Sequence, residues 1–158
     1  MQVTVNIATP TQRTYTVRGN TLREAHGRLP RGCWGRYAGN FTWDYRGRNG
    51  MVSHLILNAA PVITLPRWHG RGRASREEQR EWDRMLRALT AHEDAHHEVL
   101  VNALEDQRHF FSDEPDTAVR QLRQDLGSYG SELQQYQDDF DRTSRHGQRA
   151  GVVLNFPD

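Results

Sequence analysis

Residues 75–109 read SREEQREWDRMLRALTAHEDAHHEVLVNALEDQRH, and their periodicity decides the fold class. Ser75 followed by Glu78 is a capping box, in which the serine hydroxyl and the glutamate carboxylate each accept from the other residue's amide. Trp82, Met85, Leu86, Leu89, Val99, Leu100, Ala103 and Leu104 follow at helical spacing. The segment therefore predicts one long helix, or two abutting ones, over 76–109. Ser112 and Pro115 restart the chain. Val119, Leu122, Leu126, Tyr129, Leu133, Tyr136 and Phe140 then recur at alternating steps of three and four, a seam for packing one helix against another. Gly127 and Gly130 within that seam predict close helix contact or a kink. Gly147 suits a C-terminal cap, so the second helix should stop near Arg145.

Upstream the pattern changes. Residues 2–8 and 13–18 alternate and are rich in Val, Thr and Tyr, so they predict two strands joined by a turn at Thr9-Pro10-Thr11-Gln12. Thr21 caps a short helix with Leu22, Ala25, His26 and Leu29 on one face, ending at Pro30. The glycines at 32, 35 and 39 make 31–40 a loop. Residues 40–46 predict a strand, followed by a turn at Gly47–Gly50. The apolar run 51–65 is divided by Pro61, or its second part lies at a sheet edge. The Gly- and Arg-rich 69–74 is a surface loop. The expected architecture is α+β: an N-terminal antiparallel or mixed sheet with a short helix over 1–68, then two long helices over 75–147, in one domain spanning 1–158.

Composition narrows the function. Of the 158 residues, 21 are basic and 20 acidic, a net charge of +1 that argues against a bulk nucleic-acid binder. Every one of the basic 21 is arginine, which a GC-rich genome accounts for most simply. One cysteine, Cys33, excludes an intramolecular disulfide and a multi-cysteine zinc cluster. No apolar run reaches the length of a membrane span. The first residues, Met1 to Val5, carry no charged leader followed by an apolar region.

The chemistry concentrates in His92-Glu93-Asp94-Ala95-His96. On a helix, positions i and i+4 share a face, so both imidazoles project toward one ion. Neutral imidazole suits zinc, and zinc lowers the pKa of water and polarises a carbonyl. Glu93, beside the first ligand, is placed to act as general base toward that water and to hand the proton to the leaving amine. The competing reading is a solvated helix face rich in His and Glu. A catalytic zinc takes a third protein ligand. The pattern HExxHxxGxxH would need a histidine at 102, but that residue is Asn102. Glu105, Glu114 and Glu132 are available from later helical positions. His146 is the better candidate, where the second helix ends and Gly147 permits a tight turn.

The pairing of this motif with Phe140-Asp141-Arg142-Thr143-Ser144-Arg145-His146-Gly147, followed by Arg149-Ala150-Gly151, resembles a bacterial family, domain of unknown function 922, described as predicted secreted zinc-dependent proteases. That family pairs HExxH with a later YDxxTxHG segment; here Phe140 replaces the tyrosine and Ser144 the threonine, so no tyrosine hydroxyl stands at 140. Leu65-Pro66-Arg67-Trp68 and Glu81-Trp82 are similar too, and the likeness runs from about Tyr15 to Gly151. The resemblance implies a protease-like site made of His92, Glu93, His96, Asp141 and His146, a zinc cofactor, a peptide or protein substrate, and a secreted or exported setting, with a cytoplasmic one as the alternative. Asp141 has two readings beside that of an exposed acid near a helix end: acceptor of a ligand imidazole's second N–H, or third ligand itself.

Tyr136, Arg145 and His109 are candidates to stabilise an oxyanion, against a seam position for the tyrosine and a solvated charge for the arginine. His97 points about 100° from His96 and reads as a surface residue. Trp34, Tyr37, Trp43 and Tyr45 read as core packing, against the alternative of a binding surface. The leading expectation is a metallopeptidase in which the 60–66 segment is an edge strand that pairs with an extended peptide. Its alternatives are a zinc-dependent amidase acting on cell-wall peptides, separated by substrate profiling, and a non-catalytic zinc-containing binding or effector module, which has no use for Glu93.

Overall fold

The computed structural model describes residues 1–156. The fold is α+β, with mixed sheets first and long helices after them. Strands β1 (Gln2–Ile7) and β2 (Thr11–Arg18) precede a short helix α1 (Leu22–His26). Strands β3 (Arg36–Ala38), β4 (Phe41–Arg48), β5 (Met51–Ala59) and β6 (Val62–His69) follow. Helix α2 (Arg76–Asp113), a two-residue strand β7 (Thr117–Ala118) and helix α3 (Val119–Ser144) complete the order.

The chain divides into two compact units, each drawing on strands and on both long helices. The first unit comprises 1–10, 38–61 and 97–139; the second comprises 11–37, 62–96 and the chain from Phe140 on.

In the first unit β5 lies between β1, its parallel neighbour, and β4, its antiparallel one, and β7 also pairs with β5. Arg46 pairs with His54 and Gly47 with Val52, which leaves Ser53 without a partner across the ladder. This bulge resets the alternation of β5, so Val52 joins Leu55, Leu57 and Ala59 on the buried side. A Cβ on Gly47 would meet the Met51 carbonyl oxygen at 1.9 Å, so only glycine fits there. The turn predicted over 47–50 is accordingly shorter: β4 runs to Arg48, and Asn49 and Gly50, both with positive φ, form a two-residue hairpin turn. In α3, Leu122, Leu126, Tyr129 and Leu133 are buried as the seam predicts, but Tyr136 is 56% exposed. Gly127 marks no close approach, since a Cβ there would meet nothing within 4 Å.

In the second unit β6 is the middle strand of the order β2-β6-β3, parallel to β2. The expectation that 60–66 forms an exposed edge is therefore corrected: Pro61 separates β5 from β6, and the segment after it enters the sheet between two neighbours. Likewise β1 and β2 are not partners of each other; each pairs in parallel with a later strand. The predicted loop 31–40 contains β3. Helix α1 begins at its predicted cap, with the Thr21 hydroxyl accepting from the Glu24 amide, and ends at Gly27, before Pro30.

The core of this unit is Val17, Leu22, Ala25, Ile63, Leu65, Trp68, Trp82, Met85, Leu89 and Val152. The capping box forms as read: the Ser75 amide donates to Glu78 Oε2 at 2.9 Å and the Glu78 amide to Ser75 Oγ at 3.2 Å. The second oxygen of Glu78 accepts from the Leu22 amide at 2.8 Å, so the cap of α2 also holds the start of α1. α2 is one uninterrupted helix of 38 residues. No helix among the described residues is long and apolar enough to cross a membrane.

Candidate metal centre

Helix α2 turns one stripe into the second unit, and after Met85 and Leu89 that stripe continues with His92, Glu93 and His96. These three, at 6%, 3% and 5% exposure, are the buried polar or charged side chains among the described residues. Burying polar groups is unfavourable unless they are paired, so their company matters. The i, i+4 spacing brings the two imidazoles edge to face, with centroids 4.8 Å apart.

Their partner comes from the end of α3. Asp141 Oδ1 stands 3.0 Å from His92 Nε2 and 3.0 Å from His96 Nε2. One carboxylate oxygen thus faces two imidazole nitrogens. The rings are held flat by aromatic neighbours: Phe140 stacks on His92 with centroids 5.2 Å apart, and Tyr37 stacks on His96 at 6.0 Å. Burial, and then the neighbouring His96, lower the pKa of His92, so its ring stays neutral, the state that binds metal.

Glu93 lies against the glycine loop. A Cβ on Gly35 would stand 2.3 Å from Glu93 Oε1 and 2.9 Å from Leu89 Cδ1, so the loop backbone closes over the carboxylate only because residue 35 has no side chain. Burial first, then the charges of Asp141 and Asp94, push the Glu93 pKa up to about 8. A carboxylate so tuned exchanges a proton near neutral pH.

The turn after α3 places the last donor. Arg145, His146 and Gly147 have φ of 53°, 51° and 79°, three left-handed residues in succession. The His146 amide donates to the Asp141 carbonyl at 2.8 Å. A Cβ on Gly147 would stand 3.0 Å from His92 Cγ and 2.6 Å from Val152 Cγ2, so the turn packs directly against the His92 ring. The His146 side chain is 44% exposed, and its Nδ1 lies 3.5 Å from Asp141 Oδ1. Cys33, exposed, has its Sγ 3.0 Å from the same Nδ1. Burial, and then Asp141 and Glu93, raise the pKa of that thiol.

Two groups of donor atoms each fall within 4.8 Å of one another: His92, His96 and Asp141, and Cys33, His146 and Asp141. A tetrahedral zinc with bonds near 2.0–2.1 Å sets its ligand atoms about 3.3 Å apart. Imidazole nitrogens and a carboxylate are also the donor types that zinc takes, so the first group fits such an ion in number, chemistry and spacing.

The other residues singled out by sequence lie elsewhere or outward. Arg145 is exposed beside His146. Tyr136 and His109 belong to the first unit and are exposed, His109 lying 3.3 Å from Arg108 Nη2. Glu105, Glu114 and Glu132 also belong to the first unit, Glu105 paired with Arg108. Of the aromatic residues read as packing, Trp34 and Tyr37 lie against the second unit's core; Trp43 and Tyr45 lie in the first unit, where Tyr45 is exposed and not packed as expected. Sequence reasoning missed Gly35, Cys33 and Tyr37 as neighbours of the site. The loop carries no spacing signal; only its clustered glycines hinted at a close backbone approach.

No curated protein and no solved structure matches the chain. A family model, described as a bacterial protein of unknown function (DUF922), matches residues 12–147, and the chain belongs to that bacterial family.

Proposed function

We propose that the chain is a zinc-dependent metallopeptidase, with His92, His96 and Asp141 holding the ion and Glu93 acting as general base. The observation that carries this reading is the single Asp141 oxygen 3.0 Å from both buried imidazoles, beside a buried carboxylate in the HExxH spacing. A zinc ion, when bound, acidifies water and polarises a peptide carbonyl. The chain supplies the rest. His92 and His96 offer imidazole nitrogens from one face of α2, and Phe140 and Tyr37 stack on their rings. Glu93 takes a proton from the attacking water on its carboxylate and returns it to the departing amine. Burial beside Leu89 and the Gly35 backbone raises its basicity for that task. His146 is the alternative third ligand, through the 3.5 Å approach of its Nδ1 to the same Asp141 oxygen.

The test combines metal content with turnover. The purified chain should carry about one tightly held zinc and cleave unstructured peptides. Glu93→Gln should keep the zinc and lower the cleavage rate by at least about 10²–10⁴-fold. Undiminished cleavage by Glu93→Gln removes Glu93 as base. Zinc retained by Asp141→Ala and lost by His146→Ala moves the third ligand to the histidine.

A further inference from the structure

We propose a second divalent-cation position, formed by Cys33 Sγ, His146 Nδ1 and the carboxylate of Asp141, which it shares with the ion at His92 and His96. The proposal rests on the metal reading of that first site.

The geometry is that of a donor set. Sγ lies 3.0 Å from Nδ1, Nδ1 lies 3.5 Å from Asp141 Oδ1, and all three donor atoms are within 4.8 Å of one another. The set is distinct from the first in two of its three members. Its chemistry is specific: a thiolate, an imidazole and one carboxylate suit zinc or cobalt(II), and are poor ligands for magnesium or calcium, which demand oxygen. Asp141 can serve both ions because the one oxygen that faces His92, His96 and His146, Oδ1, has more than one lone pair and can bridge two cations.

Both flanks are built to hold these donors in place. On one side the Tyr15 hydroxyl donates to the Trp34 carbonyl at 2.7 Å, and Gly35 is pressed against Glu93, so the residues after Cys33 are tied to the unit. On the other, the left-handed backbone at His146 is a conformation that non-glycine residues rarely adopt. Its amide bond back to the Asp141 carbonyl keeps donor and shared carboxylate on one turn. Cys33 and His146 are both exposed, so the ion enters from solvent, and it binds more weakly than one held by His92 and His96, which are buried.

Cobalt(II) titration of the metal-free, reduced chain decides the matter. The wild type should take up about two equivalents. The first should give visible ligand-field bands alone. The second should add the near-ultraviolet charge-transfer band of a cobalt–thiolate bond. Cys33→Ser, at an exposed position, should lose the second equivalent and that band while keeping the first; His146→Ala should do the same. A thiolate band with the first equivalent makes Cys33 a ligand of the first ion and overturns the second position. One equivalent without any thiolate band, or a second that survives Cys33→Ser, also overturns it and leaves the first site standing. No cobalt uptake at all overturns the first site, and this one with it.

Discussion

The two units share a plan and differ in what they bury. Each pairs an early strand in parallel with a later one, β1 with β5 in the first and β2 with β6 in the second. The first unit closes on apolar side chains such as Val52, Leu55, Leu57, Leu100, Leu104, Leu122 and Leu126. The second buries a comparable apolar set and, on the same helix α2, His92, Glu93 and His96. Buried polar groups need partners, and in the second unit Asp141 supplies them to both imidazoles. The lesson is that one amphipathic helix can carry an all-apolar stripe along one stretch and a buried polar cluster along another.

The largest expected effect tests the packing side. Leu104→Ala, at a fully buried position of the first unit, should cost about 2–5 kcal/mol of unfolding free energy in urea. Zinc content per folded chain should not change. A folded variant that has lost its zinc would show that packing and site cannot be separated this way.

A smaller effect sharpens the chemical side. Gly35→Ala inserts a methyl group into space held by Glu93 Oε1 and Leu89. It should destabilise by about 1–3 kcal/mol, the range for overpacking a filled site. If Glu93 is the base and not a ligand, as proposed, the substitution should also lower kcat for peptide cleavage while leaving zinc bound. Kinetics and metal analysis on the same preparation give the answer; normal kcat would mean that the carboxylate moves aside without consequence.

The smallest concerns a feature with no chemical role. Ser75→Ala should cost about 1 kcal/mol through the lost cap. Hydrogen bonds from Leu22 and Ser75 hold the Glu78 carboxyl below its ordinary value of 4.5, and the Arg84 guanidinium does the same for Glu81. A carboxylate with a depressed folded pKa stabilises above its unfolded value, and that contribution fades as pH falls through the folded one. Urea midpoints should therefore drop below about pH 4.5, and Glu78→Gln should flatten part of that drop. An unchanged acid profile in the variant would show that the cap carries no such linkage.

What the sequence disclosed follows the range of the forces involved. The capping box at Ser75 and Glu78, the helical stretch that follows and the shared face of His92 and His96 depend on residues three or four apart, and all were legible, although whether the stretch was one helix or two was not. The choice of partner strand was not. β1 and β2 are adjacent in sequence, yet each pairs with a strand some fifty residues on, and no local pattern encodes that. The Ser53 bulge was equally hidden, because it exists only against Arg46. At the site, Asp141 could be named in advance, but its two 3.0 Å contacts depend on where α3 ends. Gly35 looked like any loop glycine until Glu93 was seen against it. Tyr136 kept the seam's spacing and still faces solvent, because periodicity marks a stripe without fixing how far along a helix it stays covered.

The sequence distances between the donors bear on the order of assembly. His92 and His96 meet as soon as one turn of α2 exists, but Asp141 is 45 residues beyond His96, and Cys33 and His146 are 113 apart. Closing the longer loop costs only about 0.8 kcal/mol more than closing the shorter, since the entropy grows with the logarithm of length. The complete donor set nevertheless exists only when both ends of the chain have come home. A metal ion that requires it would bind the finished fold and not its precursors, so its uptake would time the last step of folding and raise the melting temperature with each increment of free metal.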